Sequence, residues 1–521
     1  MEEAKSLEVL PMPRKLSTLQ HYHNLDADKV LNAYGKFGRY QMFTYFMLNS
    51  VTILFAMNMM VMPFIVEKPE FYCQLPDNLD KANYQSIDSC TLIDTANKSL
   101  KCTEIRGTRY DFNSTVHQSL ASEFNLLCDD YELTEHASSI YLFGGMLAAP
   151  LITQLSDRIG RPGFGSTGFF HTAFVLCTES VSTPFRNLLP ALPAIVWVIG
   201  YLLSGVFRLF IADWRWLYFI TSIPGILTIP LFWFIPESLH WLTTKDNYKA
   251  VEKYIQKANR FNGVKVSLEE CRTSNGERHE NKEPINRPNR TVLDIFRHKG
   301  LLLQLFLNSI VFIVMNGTYW ALSLFSTDLS EDKMTGFFLS GIVELPGGLL
   351  GTWLLIKFPR RAVAACGFTL QGLTMLAAIY IPGSKSVLMI FPLACKVFNT
   401  MIWAVTPLVA SELAPTTVRN TFTGLVSFLG DVGSVLAPYI KRLEAWDRNA
   451  PALVMTLASF LAAGCVLLIP ETKGKKMPTD IDEFDSGPLR RLFAKTAPEN
   501  RKSETNPKPD QQRILSQNEG E

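Results

Sequence analysis

The chain has 521 residues, of which 47% are hydrophobic and 19% are charged, and it carries a net charge of +2 with a positive mean hydropathy. This apolar content exceeds what a soluble protein of this size needs to fill its cores, and the charges are concentrated in a few loops. The composition therefore indicates a membrane protein and argues against a nucleic-acid-binding surface.

The predicted elements begin with a polar N-terminal segment, residues 1–41, which has no apolar stretch typical of a cleavable signal peptide. Uncharged runs long enough to cross a bilayer as helices follow. They begin at Met42, Ala137, Leu188, Trp216, Leu301, Gly336, Ala362, Val387, Thr421 and Ala452. A shorter apolar segment, residues 163–177, brings the predicted number of spanning segments to about eleven.

A long acidic loop, residues 67–136, separates the first two spans. It contains four cysteines and two N-x-S/T glycosylation sequons, namely Cys73, Cys90, Cys102 and Cys128, with Asn97 and Asn113. Cysteines and sequons in one loop indicate an oxidising compartment, so we place this loop outside the cell, although four cysteines allow three disulfide pairings. Self-association through this loop is a further hypothesis.

The remaining polar segments set the other boundaries. Residues 1–41 and the central loop, 236–298, are rich in Lys and Arg, which places both in the cytoplasm. They enclose an N-terminal helical bundle, residues 42–235. A C-terminal bundle, residues 299–471, precedes a tail, residues 472–521, that we expect to be disordered and cytoplasmic.

The two bundles contain related sequence motifs. CTESVSTPFRN at 177–187 and ASELAPTTVRN at 410–420 are 233 positions apart, and PES at 236 matches PET at 470, which indicates two similar halves. A second pair, DRIGRP at 157–162 and IKFPRR at 356–361, breaks this spacing. The first half is short by 34 residues, the length of one spanning helix and its turn.

These phrases resemble the major facilitator superfamily and, within it, the organic cation, anion and zwitterion carriers of solute carrier family 22. The resemblance covers nearly the whole chain, through GKFGRYQ, SEFNLLCDD, DRIGRP, ESVSTPFRN, DWRWL, IPESLHWL, VELP, SELAPTTVRN and PETKG. It implies an all-α membrane protein with two six-helix bundles around a central cavity. The third of the twelve helices is missing here, which a splice variant or a gene-model error would explain.

Charged residues at the predicted cytoplasmic helix ends can form ion pairs between helices. They are Asp157, Arg158, Arg161, Glu179, Arg186, Glu412 and Arg419. We predict that they act as gating locks whose rupture lets the bundles rock against each other. The alternative is static helix capping combined with anchoring by positive charge.

Two acids lie inside predicted spans, where an ionisable side chain is costly and therefore indicates function. Glu344 lies in SGIVELPGG and Asp431 in SFLGDVGSVL. The resemblance implies that the position of Asp431 is acidic in cation carriers and tends to be basic in anion carriers. Structural pairing and proton coupling are the alternatives for Asp431.

Aromatic residues provide ring faces that attract bulky cations. The candidates for the substrate cavity are Tyr319, Trp320, Phe170 and Trp403. The alternative for each is ordinary helix packing, but Tyr319 and Trp320 match a stretch that faces the cavity in the family.

The sequence thus predicts a plasma-membrane carrier of small organic cations that works by alternating access and is driven by the membrane potential. We expect no enzyme activity, cofactor or metal; the expected partners are the organic cation and the lipid bilayer, and nucleic acid is not among them. One alternative is a carrier of organic anions, carnitine-like zwitterions or sugars. The other is a non-transporting variant that regulates a full-length carrier.

Overall fold

The computed structural model describes most of the chain between residues 25 and 484. The stretches outside the described residues are 76–83, 87–88, 95–98, 106–108, 113–118, 160–175, 178, 183–184, 186–187, 228–235, 245–246, 269, 272–291, 416–417, 475–477, 479–480 and 482–483. The side chains of residues 149–159 also lie outside the described part.

In its described residues the first half contains three long helices and several short elements before the central loop. Its helices are α1 (Ala27–Ala33), α2 (Arg39–Met59), α3 (Met62–Ile65), α4 (Leu120–Glu123), α5 (Glu132–Ile159), α6 (Ala191–Phe210) and α7 (Trp214–Ser222). Pro63 stands in the first turn of α3, where proline costs no hydrogen bond, so α2 and α3 continue as one apolar segment. A 3₁₀ turn, Ile223–Leu227, extends α7.

The central loop and the second half supply the other helices. They are α8 (Leu239–Thr244), α9 (Tyr248–Asn262), α10 (Val292–Arg297), α11 (Lys299–Leu324), α12 (Lys333–Ile342), α13 (Glu344–Lys357), α14 (Arg360–Tyr380), α15 (Lys385–Leu388), α16 (Ile390–Leu413), α17 (Arg419–Leu436) and α18 (Ala450–Leu468). A 3₁₀ segment, Ala437–Ala445, extends α17. α11 packs along α17, and α14 packs along α16 and α18.

Eight helical segments in the described part of the chain are long and apolar enough to cross a membrane. They are Arg39–Ile65, Ala191–Phe210, Lys299–Leu324, Lys333–Lys357, Arg360–Tyr380, Ser386–Leu413, Thr421–Ala445 and Ala450–Leu468. The predicted span at Ala137 lies within α5, and the span at Trp216 begins in α7 and continues beyond the described residues. Most of the short segment 163–177 also lies outside them.

The acidic loop folds into small antiparallel sheets. Strand β1 (Phe71–Gln74) pairs with β5 (Arg109–Phe112), and β3 (Thr91–Asp94) pairs with β2 (Tyr84–Ser86) and β4 (Ser99–Lys101). Of the three pairings open to the sequence, the structure forms Cys73–Cys102 and Cys90–Cys128. The predicted glycosylation positions, Asn97 and Asn113, lie outside the described residues.

The N-terminal segment packs against the central loop. Residues of α1, α8 and α9 share one apolar core with Leu25, Tyr40 and Cys271. The backbone N–H of Asp26 donates to the Cys271 carbonyl at 3.0 Å, and the Tyr34 hydroxyl donates to Asn259 at 2.7 Å. The two basic segments therefore lie on the same side of the membrane helices.

This packing bears on the number of spans in the first half. Two segments on the same side of a bilayer are separated by an even number of crossings. The sequence predicts five between them, counting residues 163–177, whereas the spans that begin at Met42, Ala137, Leu188 and Trp216 make four. The count of about eleven spans thus remains a prediction, and it conflicts with the common side of the basic segments.

Candidate functional site

A buried ion pair lies at the centre of the molecule. Glu344 begins α13 and Lys396 lies in the second turn of α16, and the Lys396 Nζ is 2.9 Å from the Glu344 Oε1. Only 1% of the Lys396 side chain and 2% of the Glu344 side chain are exposed. A charge this deeply buried is tolerated only when it is paired and hydrogen-bonded.

Side chains from both halves complete the bonding of Glu344. The Tyr319 hydroxyl of α11 donates to its carboxylate at 3.1 Å, and the Trp197 indole N–H of α6 donates to the Tyr319 oxygen at 2.7 Å. The predicted substrate-binding acid is therefore neutralised by a lysine and tied to the first half through a tyrosine.

Lys396 is bonded in the same way. Its ammonium donates to the Ser340 hydroxyl at 2.7 Å and to the Tyr201 hydroxyl of α6 at 3.3 Å. It also lies over two ring faces, 4.6 Å from the centroid of Tyr201 and 5.5 Å from that of Tyr319. These rings thus already hold one cation, as ring quadrupoles do.

Two further predicted aromatic residues join this cluster. The ring centroids of Trp320 and Trp403 lie 5.7 and 5.9 Å from that of Tyr319, in edge-to-face arrangements. The Trp403 indole N–H is buried and has no hydrogen-bond partner among the described residues. Phe170, the remaining aromatic candidate, lies outside them.

The position of Asp431 follows from the packing of α17. A Cβ on Gly433 would lie 2.0 Å from the Ile313 carbonyl oxygen of α11, and one on Gly430 would lie 2.6 Å from the Phe312 Cβ. These glycines therefore allow α17 to approach α11 closely. Asp431 stands between them in sequence and is turned away from this contact by the helical period.

Asp431 shares a face of α17 with Val435, one turn further along. The Val435 carbonyl accepts a hydrogen bond from the Ser139 hydroxyl of α5, at 2.8 Å, and its side chain packs against the cluster that contains Tyr319. The Asp431 side chain is half-buried at this boundary between the halves. Within the described residues it takes part in no hydrogen bond or ion pair.

Sequence analysis missed Lys396, although a signal was present. It is the only Lys or Arg in the helix Ile390–Leu413, and a basic residue inside a span is as costly as an acidic one. Only the fold shows that it meets Glu344, because the two residues are 52 positions apart on different helices.

Glu412, one of the predicted gating residues, lies in the last turn of α16. Arg360 forms an ion pair with Glu412, and the backbone N–H groups of Arg360 and Arg361 each donate to the Glu471 carboxylate at 3.0 Å. These contacts join α14, α16 and the end of α18, all in the second half. A gating role for Glu412 stays a prediction.

Two other gating candidates, Glu179 and Arg419, make contacts that the structure describes. Glu179 accepts a hydrogen bond from the Ser238 hydroxyl at the start of the central loop, and Arg419 donates to the Ala414 carbonyl at 3.3 Å. Asp157 and Arg158 lie in α5, but their side chains are outside the described part. Arg161 and Arg186 lie outside the described residues altogether.

Ion pairs join the two halves at the opposite end, near the disulfide-bonded segment. Glu67 lies 2.7 Å from the Lys333 Nζ of the second half and 3.0 Å from the Arg208 Nη2 of its own half. Arg442 of the second half forms an ion pair with Glu132 of α5. The structure is therefore held closed at this end.

A hydrogen bond supports this closure. The His136 Nδ1 of α5 lies 2.7 Å from the Tyr439 hydroxyl, just beyond the contact between Ser139 and Val435. None of these contacts was predicted from the sequence, because single charges at or near helix ends carry no signal of the partner they meet.

Comparison with protein families supports the architecture. Residues 162–479 match the family described as "Sugar (and other) transporter". The organic cation transporter protein of Drosophila melanogaster is 28% identical over 525 residues, covering 88% of this chain and 94% of that protein. The human organic cation/carnitine transporter 2 is 27% identical over 526 residues, with the same coverage of both chains.

Solved structures show the same fold. The proton:xylose symporter XylE, a major facilitator superfamily protein, bound to 6-bromo-6-deoxy-D-glucose, gives a TM-score of 0.56 at 16% identity, covering 84% of this chain and 98% of that one. An inward-open structure of XylE from E. coli gives 0.52. The predicted all-α major facilitator fold is thus confirmed, and so is the predicted resemblance to solute carrier family 22.

Proposed function

This chain belongs to the sugar (and other) transporter family and is a multi-pass membrane transporter, and we propose that it carries small organic cations across the plasma membrane by alternating access. The names of its relatives in Drosophila melanogaster and Homo sapiens support cations as the substrate class. The proposal rests on one structural contrast, between the two acids inside the spanning helices.

The two carboxylates differ in whether each has a counter-ion within the protein. Glu344 is paired with Lys396 and buried, whereas Asp431 is half-buried at the boundary between the halves without a partner among the described residues. A carboxylate that has lost part of its hydration and has no internal counter-ion attracts a cationic guest. Asp431 is therefore the residue that we propose selects the charge of the substrate.

The aromatic cluster supplies the second half of the proposed site. Trp320 and Trp403 lie edge-to-face with Tyr319, whose own ring face already holds the Lys396 ammonium. Ring-face attraction is worth about 0.5–2 kcal/mol for each contact, and it tolerates bulky, weakly hydrated cations. Several such contacts suit broad specificity among organic cations.

Dependence of uptake on the membrane potential tests the proposed driving force. A monovalent cation gains about 2.3 kcal/mol per 100 mV on entering a negative cell. Uptake of tetraethylammonium by cells expressing the chain should therefore fall when the membrane is depolarised with external potassium. Uptake that is equal at the two potentials would count against an electrogenic cation carrier.

Carnitine-like zwitterions are the second candidate substrates, because the buried Trp403 indole N–H has no described acceptor. A zwitterion could place its cationic group near Asp431 and its carboxylate near this donor. The uptake panel should therefore include carnitine beside tetraethylammonium. A chain that reaches the surface and transports no member of the panel would instead support the non-transporting variant.

Alternating access requires the outer closure to open. Lys333→Gln removes the bond between the halves at Glu67 while leaving the pair of Glu67 with Arg208 in place. A partly exposed ion pair is worth up to about 1 kcal/mol, so the outward-open population should rise about threefold to fivefold. The measurement is the labelling rate of Val435→Cys by a membrane-impermeant maleimide, in a Cys366→Ser background.

Lys441→Gln is the matched control for this experiment. Lys441 forms an ion pair with Asp328, but both residues belong to the second half, so its loss leaves the contact between the halves intact. Labelling should therefore stay at the unmodified rate. Equal acceleration by both variants would show that the Lys333 pair is not part of a gate.

A further inference from the structure

The end of α9 leaves the apolar core of the central loop and meets the first membrane helix. Val251, Tyr254, Ile255 and Ala258 form the buried stripe of α9, and Gly263, with a φ of 69°, caps the helix after Asn262. Phe261 continues this stripe by three residues, yet 47% of its surface is exposed. It therefore packs only partly against the rest of the chain.

The surroundings of Phe261 place it at the membrane boundary. Its ring centroid lies 5.6 Å from that of Phe43 and 5.7 Å from that of Tyr40, both in the first turns of α2. Phe46, one turn further into the span, is 58% exposed and so faces lipid. Val264 follows the end of α9 and is 50% exposed.

Three basic side chains surround these exposed apolar groups. The Lys257 Nζ lies over the Tyr40 ring, 5.7 Å from its centroid, one turn before Phe261 on α9. Arg260 is exposed on the same turn, and Arg39 is exposed at the start of α2, one turn before Phe43. In the part of the chain that the structure describes, none of the three basic residues has an acidic partner.

This combination fits a lipid surface. Exposed phenylalanines at the boundary match the upper acyl chains, and a ring of arginine and lysine without internal counter-ions matches negative headgroups. The positive-inside rule assigns this side of the helices to the cytoplasm, where the anionic phospholipids reside. A zwitterionic headgroup carries no net negative charge to balance the three cations.

We propose that the end of α9 and the start of α2 form a binding surface for an anionic phospholipid headgroup, with Arg39, Lys257 and Arg260 as its ligands and Phe261 seated in the membrane interface. The surface is separate from the substrate site. Its role is to fix the packed α1, α8 and α9 unit against the inner leaflet. It does not depend on which substrate the protein carries.

Hydrogen exchange of the full chain in nanodiscs tests this surface. With phosphatidylserine mixed into phosphatidylcholine, amides near residues 257–265 should exchange more slowly than in phosphatidylcholine alone. The variants R39Q, K257Q and R260Q should each raise the phosphatidylserine fraction needed for half of this effect by about fivefold. Hydrogen exchange in α11 should be the same in each variant as in the unmodified chain, which would show that the variant is folded.

The double variant K249Q/K253Q is the matched control. It removes two exposed charges from the same helix, with Lys249 about 18 Å along the axis from Phe261, and it should retain the phosphatidylserine effect. If the control lost the phosphatidylserine effect equally, the effect would be general charge attraction, and the proposed site would be wrong. Protection that is independent of phosphatidylserine, or that soluble glycerophosphoserine reproduces, would also overturn it.

Discussion

Asp431→Asn should lower tetraethylammonium uptake about 30-fold or more while leaving the amount of protein at the cell surface unchanged. A unit charge pair 4 Å apart at an effective dielectric of 20 is worth about 4 kcal/mol, and losing half of it lowers affinity about 30-fold. Because Asp431 has no partner among the described residues, its neutralisation orphans no other charge. Initial uptake rates normalised to surface biotinylation measure the effect.

Three further variants make this result specific. Asp431→Glu keeps the charge and should retain a large part of the uptake, and Asp431→Arg should abolish it. Glu444→Gln is the matched control, because Glu444 is an exposed acid at the outer end of the same helical segment. Full uptake by Asp431→Arg would remove this carboxylate from the mechanism.

Lys396→Met, in contrast, should lower the stability of the folded protein. Breaking a buried ion pair by removing one partner costs about 3–5 kcal/mol, because the remaining charge is left uncompensated. Glu344 would then lie in the protein interior with neutral donors such as the Tyr319 hydroxyl, but with no counter-ion among the described residues. We expect a marked loss of folded protein, measured as the thermal unfolding temperature in detergent and as surface abundance.

The double variant Glu344→Gln/Lys396→Met distinguishes stability from substrate binding. Removing both charges together should recover most of the lost thermal stability, since replacing a whole buried pair is close to neutral. If Glu344 bound substrate directly, the double variant would be stable and yet inactive toward cations. Recovery of both stability and uptake would assign the pair a structural role alone.

The ion pair of Glu67 with Lys333 and the central cluster around Glu344 share one physical feature. Both connect the two halves: Glu67 pairs with Lys333 of the second half, whereas the pair of Glu344 with Lys396 lies within the second half and reaches α6 through the hydrogen bonds of Trp197 to Tyr319 and of Lys396 to Tyr201. Rocking of the halves must therefore rearrange bonds at both levels. The energetic cost of opening is divided between an exposed pair of small value and a buried cluster of larger value.

The sequence by itself determined the class, the two halves and the motifs of this protein. Long uncharged runs require helices in a bilayer, because backbone polar groups find no water there, and the repeated phrases around Glu179 and Glu412 record the duplication. It also identified Asp431 and Tyr319, because charged and aromatic residues inside apolar helices are conspicuous along the chain.

Only the tertiary structure decided which of those residues already have a bonding partner within the protein. Glu344 and Asp431 look alike in sequence, yet one meets Lys396 and the other has no described partner. The pairing of the four loop cysteines and the common side of the two basic segments were settled in the same way. The physical reason is that each outcome depends on distances between residues far apart in the chain, which hydropathy and spacing do not encode.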